Sequence, residues 1–151
     1  MKKDDEYYMN IALEEAQKAF DKGEIPVGCL IVKDDKILSR AHNLKEALNL
    51  ATAHAEILAI DAAAKELANW RLENTTMYVT LEPCPMCAGA IVHSRINRVV
   101  FGALDNRDGA VVSSKHIFEN NHSHKVFVTS GVKEVEANKI INDFLINKRK
   151  R

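Results

Sequence analysis

Two cysteines stand three positions apart in Thr80-Leu-Glu-Pro-Cys-Pro-Met-Cys87, directly after an apolar run. A helix beginning there would present unpaired amides that favour negative charge, lower thiol pKa values and make thiolates available. From one first turn Cys84 and Cys87 project toward a single point, which suits one ion at Zn–S distances of about 2.3 Å. The same spacing serves a dithiol redox pair, so the cysteines alone leave both readings open. His54-Ala55-Glu56 separates them. It lies near the start of a second central helix, and two helix N-termini leaving the same end of a sheet bring His54 to an ion shared with Cys84 and Cys87.

That gives three ligands. Structural zinc is normally closed by four Cys or His side chains, and no fourth candidate stands at a customary spacing. Cys29, inside an apolar strand, reads as a packed core thiol. An open fourth position admits water. Because two thiolates cancel the formal charge of a dication, a proton acceptor beside the site becomes useful. Glu56, two residues beyond His54, supplies one, acting as general base and then general acid. An isolated glutamate there would be read as favourable helix-start charge, but beside a metal motif the proton-carrying role is the stronger reading.

The elements that must position these residues are legible in the periodicity. Asp4 or Asp5 caps a first amphipathic helix through Tyr8, Ile11, Ala12, Ala16, Ala19 and Phe20, stopped by Gly23. A hairpin follows, 27–32 and 37–40 joined by Lys33-Asp34-Asp35-Lys36. Thr52 caps a helix from Ala53 to about Ala68. Then come a strand over 76–81, a helix from Pro85 to about Ser94 and a strand over 98–103, a crossover between parallel strands. A fifth strand is expected at 125–128 and a short helix near 114–119. The last helix, from Glu134 to about Asn147, carries Val135, Ile140, Ile141, Phe144 and Leu145. The class is α/β, one domain over 1–151 with a central five-stranded mixed sheet and helices on both faces.

The 151 residues carry 21 basic and 21 acidic side chains, so the total charge announces no polyanionic partner. The basic tip Lys148–Arg151 reads either as a solvated terminus or as a phosphate contact. An odd three cysteines and no charged-then-apolar leader point to a reducing cytosol. No uncharged run approaches the ~20 apolar residues of a membrane span. His93, His116, His122 and His124 read as surface or loop residues and His42 as a neighbour of the pocket. Trp70 reads as a platform for a base or, as the stronger expectation, an anchor of packing. Glu82 reads as helix-start charge or as a group orienting a ligand or amide.

His-x-Glu followed by Pro-Cys-x-x-Cys is the signature of the zinc nucleoside and nucleobase deaminases. With Gly23-Glu-Ile-Pro-Val-Gly28, Ala41-His-Asn43, Trp70-Arg-Leu72, Arg95-Ile-x-Arg-Val-Val-Phe-Gly102 and the final Asp-Phe-Leu helix, the chain resembles the bacterial tRNA-specific adenosine deaminases over nearly its whole length. The resemblance implies a three-layer α/β/α deaminase-like fold. It also implies a zinc-held hydroxide attacking C6 of an extruded adenine at the wobble position of a tRNA anticodon loop, with ammonia released and inosine left. By motif position His54, Cys84 and Cys87 would bind one Zn2+ per subunit and Glu56 would shuttle protons. Asn43 would hold the purine edge. Asp105 would meet a sugar hydroxyl, with Arg107 and Arg149 as further RNA contacts. A cytoplasmic homodimer is implied, with the anticodon stem-loop as partner and no membrane. After the Asp105 position the family often has Lys and then Gly-Ala-x-Gly-Ser, whereas this chain reads Asn106-Arg-Asp-Gly-Ala-Val-Val-Ser-Ser114, so the resemblance does not fix this loop. Two rivals remain: the same chemistry on a free guanine- or cytosine-type base or nucleotide, and a non-catalytic zinc-stabilised RNA-binding subunit.

Overall fold

The chain begins its first helix, α1 (Asp5–Asp21), on the Asp4 carboxylate, which accepts from the Tyr7 amide at 2.9 Å. The computed structural model describes residues 2–119 and 124–148, together with the backbone of residue 149. After α1 come β1 (Gly28–Lys33), β2 (Lys36–His42), a one-turn helix α2 (Lys45–Leu48) and α3 (Ala55–Leu67). The second half runs β3 (Thr76–Leu81), α4 (Pro85–His93), β4 (Arg98–Ala103), a 3-10 turn (Ile117–Glu119), β5 (Phe127–Thr129) and α5 (Glu134–Arg149).

Asp34 and Asp35, both at positive φ, form a two-residue hairpin loop whose twist matches the strands it joins. The five strands lie in the order β2-β1-β3-β4-β5. β1 is antiparallel to both neighbours, whereas β3, β4 and β5 run parallel, so the sheet is mixed as expected.

Strand alternation assigns the two faces. Leu30, Val32, Tyr78 and Val100 point toward α1 and pack with Tyr8, Met9 and Ala12. Cys29, Ile31, Met77, Val79, Val99 and Phe101 point the other way and pack with Ala55, Ala59 and Ala63 of α3 and Ile91 of α4. Cys29 is a buried core thiol. At Gly28 a Cβ would collide with the backbone of Ala12 and Ala16, so the missing side chain is what lets α1 lie directly on the sheet.

Some expectations need correction. Thr52 does not cap α3; His54 does, after an irregular turn in which its amide donates to the Thr52 carbonyl at 2.8 Å. The fifth strand is displaced to Phe127–Thr129, and only a 3-10 turn forms between 114 and 119. Trp70 does not anchor the core. It is 53% exposed, with the Arg71 guanidinium 4.4 Å and that of Arg95 5.7 Å from its ring centre. The stripe on α5 is only partly covered, for Phe144 is buried while Val135 is 77% exposed.

One ion pair fastens the start of α1 to the sheet. Asp5 accepts from both terminal nitrogens of Arg98, at 3.0 and 2.7 Å, and from the Tyr78 hydroxyl at 2.8 Å. The Arg98 hydrogen bonds hold the Asp5 carboxyl below its ordinary 3.8. A carboxyl depressed on folding stabilises the native state above its unfolded pKa, and that contribution is lost as pH falls through the folded value. Asp5→Asn is therefore expected to cost about 1–2 kcal/mol near neutrality. In urea titrations the gap to wild type should narrow as the pH falls below 3.8; a gap independent of pH would show that the carboxylate contributes nothing as an ion.

Candidate active site

β3 ends at Leu81, and Glu82-Pro83 carries the chain across the end of the sheet to Cys84, the N-cap of α4. Pro85 occupies the first turn, where its missing N–H costs nothing and its fixed φ already suits a helix. His54 is the extended N-cap of α3. The His54 side chain makes no capping hydrogen bond to its own helix. The His54 Nδ1 lies 3.7 Å from the Cys84 Sγ and 3.6 Å from the Cys87 Sγ. A tetrahedral ion with Zn–S of about 2.3 Å and Zn–N of about 2.1 Å spaces sulfur and nitrogen about 3.6 Å apart, so the donors stand where zinc needs them. Among the described residues this is the one group of three or more His, Cys, Asp or Glu that could hold a metal, and it has no fourth protein donor.

The electrostatics favour a cation. The Cys87 thiol beside it draws Cys84 down to about 4, which makes Cys84 a thiolate. The hydrogen bond with Cys84, and then burial, push the Cys87 thiol upward, and a bound metal would overcome this by displacing the proton outright. His54 is raised, first by its contact with Cys84. Glu56, in the first turn of α3 and only 4% exposed, is pushed up to about 7 by burial. It lies within hydrogen-bonding reach of Cys87 without being one of the donors.

Two segments flank the cluster. Asn43 is buried, and its amide donates to the Val27 carbonyl at 3.1 Å. The next amide, of Leu44, bonds to the carbonyl of Ala53, the residue before His54. Asn43 is thereby tied to the metal-site helix. On the other side, Asp105 Oδ1 accepts from the amides of Arg107 and Asp108, both at 3.1 Å, so one oxygen of Asp105 shapes its own turn. Arg107 is exposed. The Arg149 side chain, Lys150, Arg151 and His122 lie outside the described residues.

Three buried carboxylates build this end of the molecule, and sequence reasoning missed two of them, Glu24 and Glu15. Glu24 accepts from the amides of Glu46 and Ala47, at 3.0 and 2.7 Å, and so starts α2 from a distant residue. Glu15 takes His42 Nδ1 at 2.9 Å together with Lys18 and Arg40. Glu82 fulfils the second of its two sequence readings, orienting amides, by turning its carboxylate onto the 105–113 loop. Glu24 follows Gly23 and Glu82 precedes Pro83, which is a local signal, whereas Glu15 stands between Glu14 and Ala16 and offers none; apart from Lys18, the partners of all three are remote in sequence.

A fold of this topology, with His-x-Glu on one helix start and Cys-x-x-Cys on the other, matches the family described as the cytidine and deoxycytidylate deaminase zinc-binding region over residues 2–103, and the chain belongs to that family of deaminating hydrolases. Within it the chain is 48% identical over 148 residues, 97% of its own length and 92% of the relative's, to the tRNA-specific adenosine deaminase of Bacillus subtilis (strain 168). It is 52% identical over 122 residues to the protein of the same name from Aquifex aeolicus (strain VF5), covering 80% of this chain and 81% of that one. A solved structure described for A-to-I editing by tRNA:A34 deaminases at the wobble position of transfer RNA superposes with a TM-score of 0.86 at 41% identity, covering 89% of this chain and 98% of that one. The guanine deaminase of Nitrosomonas europaea, at 20% identity and a TM-score of 0.82 over 92% of this chain and 83% of that one, shares the fold. Among the described residues no helix is long and apolar enough to cross a membrane.

Proposed function

We propose that the chain hydrolytically deaminates adenosine to inosine at the wobble position of a tRNA anticodon loop, with His54, Cys84 and Cys87 holding one zinc ion per subunit. The carrying observation is a three-donor cluster of tetrahedral spacing beside a buried glutamate that is not a donor. A structural ion has no use for such a carboxyl. The relatives named tRNA-specific adenosine deaminases support the choice of substrate.

Zinc bound there supplies Lewis acidity that makes water a nucleophile near neutral pH. Glu56 takes the proton of the water that adds to C6 of adenine and places it on ring nitrogen N1. As the C6–N bond breaks, Glu56 passes the second proton to the departing amine, ammonia leaves, and the oxygen stays on the ring. The Asn43 carboxamide offers both a donor and an acceptor to the purine edge. Asp105 Oδ2 is the oxygen that remains to accept from a ribose 2′-hydroxyl, a contact DNA cannot make. Arg107 and Arg149 meet phosphates. The active form is a cytoplasmic homodimer.

Ammonia release from an anticodon stem-loop with adenosine in the first anticodon position, compared with guanine and cytidine, tests the substrate. The stem-loop is expected to react about 10²-fold or more faster than either free compound. In a purified tRNA pool sequenced before and after incubation, the wobble adenosine should come to be read as guanosine. Ammonia from the free compounds alone would overturn the tRNA reading.

A further inference from the structure

Glu82 is 2% exposed, and its carboxylate is taken up entirely by one loop. Oε1 accepts from the Asp105 amide at 3.0 Å and the Ser113 hydroxyl at 2.5 Å. Oε2 accepts from three successive amides, Val111 at 3.1 Å, Val112 at 2.6 Å and Ser113 at 2.8 Å. Successive amides converging on one point form a concave anion site, and here the anion comes from the chain itself. An ionised carboxylate offers about four lone-pair positions, so these five donors leave it nothing for α4 or for a ligand.

The loop is gripped along the backbone as well. The Ala110 amide donates to the Pro83 carbonyl at 2.9 Å, and the Glu82 amide donates to the Ala103 carbonyl at 2.9 Å. Residues 82 and 83 therefore hold both ends of the loop, and residue 84 is a metal donor. A Cβ at Gly109 would collide with Glu82 Oε1 and the Asp105 carbonyl, so the grip also requires glycine there.

We propose that Glu82 is a positioning residue that registers the 105–113 loop, carrying Asp105 and Arg107, to the metal donors, and so sets substrate affinity without touching substrate. This rests on the reading of that loop as an RNA contact given above. Glutamine in place of Glu82 keeps the volume and one acceptor but turns an NH2 toward donors, leaving buried amides unpaired.

The experiment compares zinc-loaded wild type with Glu82→Gln, Gly109→Ala and Ser113→Ala. For Glu82→Gln the amides of Val111, Val112 and Ser113 should exchange with deuterium about tenfold or more faster, with exchange in the central strands unchanged. KM for the anticodon stem-loop should rise about tenfold while kcat stays within about threefold. Zinc content should equal that of wild type. Gly109→Ala should show the same split and Ser113→Ala a smaller one, and these two decide the matter if Glu82→Gln does not fold. A fall in kcat at constant KM, or faster exchange throughout the chain with loss of zinc, would overturn the proposal. If wild type leaves the stem-loop unreacted, the substrate reading fails instead, and exchange in the loop still shows whether Glu82 holds it.

Discussion

Glu56→Ala is expected to retain its zinc and lose deamination by a factor of about 10² to 10⁴, the usual worth of a positioned acid–base group. The carboxyl is buried at the start of α3 beside the donors but is not one of them, so its removal leaves the cluster of His54, Cys84 and Cys87 complete. Glu56→Gln, which keeps the shape and hydrogen-bonding reach without a proton to exchange, should lose as much. Metal analysis, thermal melting and ammonia release on the same preparations check this. Loss of zinc together with activity would make Glu56 a structural support of the ligands. Activity above a tenth of wild type would remove the proton shuttle.

The second large effect falls on the donors. Cys87 is fully buried, and the three donors join helix starts 30 residues or more apart in sequence, so a metal there closes a long loop only in the folded state. A ligand that binds the native state alone, present at 100 to 1,000 times its Kd, stabilises it by about 3–4 kcal/mol. Wild type should therefore melt higher on adding zinc and lower on chelation. Cys87→Ala should lose that response along with detectable turnover, whereas Cys29→Ala, altered in the core rather than at the site, should keep it. A zinc-responsive Cys87→Ala protein would place the metal elsewhere.

The site's chemistry was legible because it is written locally. His-x-Glu and Cys-x-x-Cys each occupy one helix start, and β3 and β4 span the runs 76–81 and 98–103 whose composition reads as strand. What was not legible depends on partners distant in the chain. The cap of α3 reads as Thr52 by side-chain type, yet the Leu44 amide captures the Ala53 carbonyl and delays the helix to His54, which frees the imidazole for a metal. The helix α2 has no capping hydrogen bond from Leu44 at its own start, and its amides are satisfied by Glu24. The 105–113 loop departs from the related pattern at Asp108 and at Val112, where the pattern has its second glycine, and its shape follows from a carboxylate nearly thirty residues earlier. Trp70 misled because size and uniqueness suggest a core anchor, whereas two guanidinium groups accompany it at the surface.

Glu24 and Glu82 hold the segments on either side of the cluster chiefly by their main-chain N–H groups, and a peptide amide is the same whatever residue bears it. The outward side chains at 45–47 and 106–108 thus form an interchangeable fascia over a fixed chassis. If these segments contact RNA as proposed, mutational drift there retunes which RNA is preferred while the reaction centre behind it keeps its geometry.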